Sequence, residues 1–141
     1  YEWLLKTNLI LKQELVWFNR SQNFDKIRFY PMTERVYWLS KSTKTKFKNN
    51  INSHDLFEWR SVGTRGVHKR AFPESMVQNF IDCYPADVIV LDPFSGSGTT
   101  GVVCAKSGRK FIGIEIDKEY YDISKTRIQE ATNAQQVSMA V

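Results

Sequence analysis

Leu91-Asp92-Pro93-Phe94-Ser95-Gly96-Ser97-Gly98-Thr99-Thr100-Gly101 is the stretch on which the fold turns. It completes a short unbroken apolar run, Val88-Ile89-Val90-Leu91, of the kind expected for a strand covered on both faces. Asp92 to Gly98 is a turn of small residues. Thr99 to Lys106 continues as a helix, with Gly108 placed to close it. Phe111 to Ile116 is the next strand. A last helix is expected from Lys118 to Ala131, with Tyr120, Ile123, Arg127 and Ile128 on one side and a fraying tail beyond. Strand, glycine-rich turn, helix, strand, helix is a βαβ unit, and its ligand belongs at the carboxyl ends of the strands.

Three cofactor chemistries can be set against this turn. A phosphate-gripping loop ends in Gly-Lys-Ser/Thr; here Gly98 is followed by Thr99, which rules it out. A dinucleotide fingerprint is present, since Gly96 to Gly101 fits G-x-G-x-x-G and Glu115 ends the next strand. However, the first glycine of that fingerprint normally lies directly off the strand, and here Asp92-Pro93-Phe94-Ser95 intervenes. S-adenosylmethionine has no phosphate; it carries an amino acid, a sulfonium and an adenosine. It needs glycines for close backbone approach, acceptors for an ammonium and donors for a carboxylate. Asp92, the loop backbone and Thr99 and Thr100 at a helix start can supply these, with Glu115 for the ribose hydroxyls and Ile116 against adenine. A bare tight turn would need neither the Asp-Pro step nor the strand-end glutamate.

Upstream of the turn, Pro73 suits the first turn of a helix. Val77, Phe80 and Ile81 form one face of that helix, which stops before Pro85. Residues 2–12 read as a helix, Glu14–Phe18 and Arg35–Leu39 as strands, and Ser40–Ser53 as a polar loop carrying Lys41, Lys44, Lys46 and Lys48. Trp17, Trp38 and Trp59 read as core. Residues 1–70 hold 14 Lys/Arg against 6 Asp/Glu (+8), and residues 71–141 hold 6 against 9 (−3). A basic half joined to a mildly acidic one points to a polyanion on one surface. Two cysteines make no disulfide framework, and Cys104 in Val102-Val103-Cys104-Ala105 reads as a small buried apolar residue. His54 and His68 have no partners at metal spacing, so no metal is expected. No apolar run suggests a membrane span, no leader pattern opens the chain, and the expected location is the cytoplasm. A start at Tyr1 instead of methionine is read as the mark of a piece of a longer protein.

Leu91 to Thr100 closely resembles the cofactor motif of the amino-methylating DNA methyltransferases, which modify N6 of adenine or N4 of cytosine. Gly113-Ile114-Glu115-Ile116, then Glu119-Tyr120 and Arg127-Ile128, is similar to that family's next segment. Val67-His68-Lys69-Arg70-Ala71-Phe72-Pro73-Glu74 resembles its His-x-x-x-Phe-Pro element, which closes over the methionine end of the cofactor. The order matches the circularly permuted version in which the catalytic half precedes the cofactor half. The resemblance covers residues 56–130 well. Over residues 1–55 it is looser, with Glu14-Leu15-Val16-Trp17 and Glu34-Arg35-Val36-Tyr37-Trp38 resembling the last two sheet strands of the catalytic half.

The resemblance implies a three-layer Rossmann-like α/β fold, permuted and lacking the catalytic strand region. It implies an S-adenosylmethionine site built from His68, Phe72, Asp92, Pro93, Phe94, Ser95, Gly96, Ser97, Gly98, Thr99, Thr100, Glu115 and Ile116. The partner is double-stranded DNA. Residues 1–55 would be the remnant of the catalytic half, 56–141 the cofactor region, and 40–62 a candidate target-recognition segment. The family's catalytic signature is Asp, Ser or Asn, then Pro-Pro and an aromatic residue, for a base rotated out of the duplex. No Pro-Pro occurs here; the prolines are Pro31, Pro73, Pro85 and Pro93. No catalytic residue is therefore assigned within this chain, and a preceding segment or a complementary chain is expected to supply it. A non-catalytic cofactor- or DNA-binding subunit and a dinucleotide module are the competing readings.

Overall fold

Strand pairing accounts for the first half of the chain and helix packing for the second. The computed structural model describes residues 2, 6–19, 26–27, 29–48, 54–59 and 72–139, and the chain divides into two compact units, Tyr1–Arg60 and Ser61–Val141.

In the first unit β1 (Ile10–Phe18) is central, antiparallel to β2 (Thr33–Ser40) and parallel to the two-residue β3 (Leu56–Phe57), in the order β2-β1-β3. The helix expected over residues 2–12 is replaced from Ile10 onward by strand. Only Glu2 is helical among the described residues of that stretch; Lys6 to Asn8 form a turn and bend, and Thr7 Oγ1 accepts the Leu9 N–H at 3.3 Å. Short polar side chains that bond local backbone in this way compete with helix. Ile10 then pairs with Ser40, so strand pairing overrides the weak helical pattern. The register is irregular between Leu11 and Gln13, and the intervening Lys12 reaches the Thr43 carbonyl at 2.8 Å. Glu14 and Arg35 form a cross-strand ion pair. β3, for which the sequence gives no signal, is fixed by aromatic packing. Trp17 Nε1–H donates to the Trp59 carbonyl at 3.0 Å, and the Phe57 and Trp59 rings stack at 4.2 Å. Trp17 and Trp59 are buried and Trp38 half-buried, in line with core roles.

In the second unit α1 (Glu74–Asp82), β4 (Ile89–Asp92), α2 (Thr99–Lys106), β5 (Lys110–Gly113) and α3 (Lys118–Met139) follow in turn. β4 and β5 are parallel, with Val90 opposite Phe111 and Asp92 opposite Gly113. Val90 and Phe111 present one sheet face to the helices. Ile81 from α1 and Val103 and Cys104 from α2 are buried against it, together with Val77. Full burial of such side chains contributes about 1.5–3 kcal/mol each. α2 ends in a Schellman motif: Gly108 is at φ 66°, its N–H bonds the Ala105 carbonyl, and the Arg109 N–H bonds the Cys104 carbonyl at 2.9 Å. β5 stops three residues earlier than expected: the Ile114 N–H makes the last bond to the Asp92 carbonyl, and the Ile114 carbonyl turns to accept the Ser95 N–H of the loop. α3 runs past Ala131 to Met139, through a stretch in which Ala134, Gln135, Gln136 and Met139 favour helix.

A further expectation fails within the described residues. β4 is not covered on both faces: Ile89 is 58% exposed, Leu91 59% and Ile112 52%, all on the face turned away from the helices. β4 has β5 as its one described neighbour.

A tight seam joins α2 to α3. A Cβ at Gly101 would stand 2.3 Å from Ile128 Cδ1 and 2.7 Å from Phe111 Cε1. Gly101→Ala gains about 1 kcal/mol of helix propensity but overpacks the seam at a cost of about 1–3 kcal/mol. A net loss of stability is expected in urea unfolding; a raised midpoint would contradict this packing.

Candidate cofactor site

The loop between β4 and α2 is shaped by hydrogen bonds that its own sequence provides. Asp92 accepts the Phe94 N–H at 3.1 Å on one oxygen and the Thr100 hydroxyl at 2.7 Å on the other, tying the strand end to the first turn of α2. The Ser95 N–H donates to the Ile114 carbonyl and the Gly98 N–H to the Ser95 carbonyl, both at 2.9 Å. Gly96 and Gly98 take φ of 51° and 81°, a region costly for residues with a Cβ. Gly98 is also the residue before α2, and no side chain caps that helix start. Its first N–H groups are free of a side-chain acceptor and carry the positive end of the helix dipole.

Glu115 closes the other side. One oxygen accepts the Gly96 N–H at 2.6 Å and the other the Asp117 N–H at 2.8 Å. A carboxylate offers about four acceptor positions, so these two bonds fix Glu115 beside the loop and leave acceptor capacity for a ligand. Asp117 in turn caps α3 by accepting the Glu119 and Tyr120 N–H groups at 2.9 and 3.1 Å. Phe94 is 89% exposed and Ile116 fully so. Two bare apolar side chains beside a polar loop are what an aromatic ligand would cover.

The predicted residues thus divide. Asp92, Ser95, Gly96, Ser97, Gly98, Thr99, Thr100 and Glu115 are gathered by the loop, with Pro93 and Phe94 exposed on its turn and Ile116 just past Glu115. His68 lies outside the described residues. Phe72, half exposed, precedes α1. A cleft of about 230 Å³ opens between β5 and α3, but Ser95 and Glu115 are its only lining residues from the expected set. The open side of the loop, rather than this cleft, is therefore the candidate site.

Three residues were missed as parts of this site. Gly113 lets Ser95 and the Phe111 ring approach, since a Cβ there would meet both within 3.0 Å. Ser124 lies under Gly98, and Arg127 bonds Ser97. A glycine at a strand end and polar residues on the core side of an otherwise apolar helix face were the available signals.

Other chemistries find no support here. Cys104 is fully buried, and burial pushes its thiol above the ordinary range, with Arg109 opposing and Asp92 adding to the effect. Among the described residues no three His, Cys, Asp or Glu side chains are grouped to hold a metal, and no helix is long and apolar enough to cross a membrane.

This loop and its parallel βαβ unit, together with the solved structures the chain resembles, place the fold among those of the S-adenosylmethionine-dependent DNA methyltransferases. The chain belongs to the N6/N4 DNA methylase family, whose profile matches residues 3–126. It is 44% identical to the Type II methyltransferase M.Cfr9I of Citrobacter freundii over 92% of this chain and 48% of that protein. It is 33% identical to M.HinfI of Haemophilus influenzae over 83% of this chain and 39% of that protein. Among solved structures it resembles the M1.HpyAVI–SAM complex, with a TM-score of 0.75 and 30% identity over 90% of this chain and 66% of that one. It also resembles the cytosine-N4-specific PvuII DNA methyltransferase, with a TM-score of 0.75 and 25% identity over 90% and 57%. The chain spans under half the length of these two curated relatives.

Cys83 and Cys104 are both buried. Neither is expected to react with an aromatic disulfide reagent until denaturant is added. A fast-reacting thiol in the native chain would contradict this placement.

Proposed function

We propose that this chain forms the S-adenosylmethionine-binding part of a DNA methyltransferase acting on an exocyclic amine of adenine or cytosine. The observation that carries this is Glu115, fixed by two backbone N–H groups beside the glycine loop with acceptor capacity to spare. The donor set fits the cofactor. Glu115 would take the ribose hydroxyls, and Phe94 and Ile116 would flank the adenine. The uncapped start of α2 would face the carboxylate, and Asp92 would lie near the ammonium. His68 and Phe72 would close the methionine end. The cofactor, when bound, supplies an electrophilic methyl group on a sulfonium. The chain's residues hold and orient it and screen it from water, with no proton transfer assigned to them.

The dinucleotide reading loses its footing with the family match. Titration calorimetry should therefore give heat with S-adenosylmethionine and none with NAD. Glu115→Ala removes a charged acceptor and should weaken binding about 10- to 100-fold. NAD binding, or unchanged affinity in the variant, would overturn the proposal.

The amine-holding groups, Asp, Ser or Asn followed by Pro-Pro and an aromatic residue, lie outside these 141 residues. We assign them to a segment, covalent or on another chain, that adds a strand beside β4 and covers Ile89, Leu91 and Ile112. Two observations support this: the exposed face of β4 and β5, and relatives about twice as long. An open strand edge beneath a bare apolar face is a pairing site that folded proteins cover. In this reading the chain is a permuted enzyme's cofactor half joined to the last strands of its catalytic half. On its own it would be inactive. A broad, weakly cooperative thermal melt is expected for residues 1–141 alone, sharpening when the family's catalytic segment is supplied. A sharp melt of the isolated chain would contradict it.

Duplex DNA would meet the basic half. Lys41, Lys44, Lys46 and Lys48 lie on a stretch pinned by the Trp38–Phe47 ring contact at 4.2 Å and by the Lys12–Thr43 bond. Phosphate contact by these lysines would position the enzyme, while residues 40–62 would contribute to target choice.

A further inference from the structure

Helix α3 turns three side chains toward the loop at i, i+3 and i+4. Ser124, only 6% exposed, lies so close under Gly98 that a Cβ there would stand 2.7 Å from the serine Cβ and 3.0 Å from its Cα. Ile128 fills the space at Gly101. Between them Arg127 Nη1 donates to the Ser97 carbonyl at 2.5 Å and to the Ser97 hydroxyl at 3.2 Å. Its side chain is 23% exposed, and its Nη2 lies 3.9 Å from Glu74 Oε1. The other oxygen of Glu74 takes Lys106 Nζ at 2.6 Å. Glu74 opens α1 directly after Phe72 and Pro73, and Lys106 ends α2.

We propose that Arg127 is a positioning residue for the cofactor loop, holding the Ser97 carbonyl and with it the turn from Ser95 to Gly98 that leads into the uncapped start of α2. The reason is local. Gly96 and Gly98 both have positive φ, and glycine moves between φ regions at little cost, so the turn from Ser95 to Gly98 is held by its hydrogen bonds and not by backbone preference. Gly96 is held by Glu115 and Gly98 rests on Ser124. The Arg127 donor on the Ser97 carbonyl holds the Ser97–Gly98 peptide plane from the end opposite to the Gly98 N–H, which bonds the Ser95 carbonyl. A guanidinium is suited to this because its planar fork can bond Ser97 on one side while facing Glu74 on the other. Lysine, a point donor, cannot span both. The same fork places the residue after Phe72-Pro73 and the loop on one side chain, so the two lips expected to enclose the cofactor share an anchor.

The inference rests on the cofactor assignment to this loop, and the test separates the two. Hydrogen exchange needs no cofactor. In Arg127→Met, amides of residues 96–99 should exchange about tenfold faster, the scale of one lost hydrogen bond from a charged donor. Amides of Val102 to Ala105 should be unchanged. S-adenosylmethionine affinity, measured on whichever form of the wild-type protein binds it, alone or with the catalytic segment, should fall about tenfold. Arg127→Lys should recover part of both effects, and it serves if Arg127→Met does not fold. With turnover restored, the KM for the cofactor should rise while kcat changes little. Faster exchange throughout the second unit, or a loop and affinity unchanged in both variants, would overturn the proposal. If wild-type protein binds no S-adenosylmethionine but the loop amides respond as stated, the cofactor assignment fails and the loop anchor stands.

Discussion

The glycine loop keeps the shape its own hydrogen bonds give it because α3 packs against it. At Gly98 and Gly101 the approach of loop and helix backbone to α3 is so close that an added Cβ would force Ser124 or Ile128 to shift. Interiors are packed to crystal-like density, so contacts of this kind are rigid and transmit displacement instead of absorbing it. Moving α3 outward by one methylene would release the Ser97 carbonyl, open the seam beside Phe111 and loosen the start of α2. Glu115 is drawn into the same arrangement, since its two backbone bonds reach Gly96 in the loop and Asp117 at the entrance to α3.

Around that seam the charges are placed with economy. Asp92 bonds the loop and α2, Glu115 bonds the loop and the turn before α3, and Glu74 joins Lys106 and Arg127. Arg109, with a side chain 8% exposed, bonds the Tyr84 and Pro85 carbonyls and holds the connection from α1 to β4. The acidic bias of this half is thus partly spent on fixing backbone. The basic half carries its lysines on an exposed stretch beside β2, held by the Trp38–Phe47 ring contact, the Lys12–Thr43 bond and local bonds to the Ser40, Ser42 and Thr45 hydroxyls.

The family match joins what the two halves suggest separately. A βαβ unit with a glycine loop is common to several cofactor classes. Chain order, the Asp-Pro step and the strand-end glutamate narrow it to one, and relatives with Type II methyltransferase names agree. The open face of β4 and β5 is what the additional segment proposed above would cover.

Much of the fold was legible because local chemistry settles it. Gly108 ends α2, Pro73 precedes α1, and the apolar run through Leu91 makes a strand wherever it is placed. The loop residues could be named because glycines at positive φ and a strand-end carboxylate act within a few residues of themselves. Other features depend on distant neighbours. Ile10 to Lys12 became strand by pairing with β2, and β3 exists because Trp17 reaches Trp59. The open face of β4 could not be told from a covered one, since an apolar run carries no record of what lies against it. Likewise, nothing near Ser97 in sequence announces Arg127, thirty residues on. A helix face aimed at a loop is settled by how three elements pack, and only the folded chain brings them together.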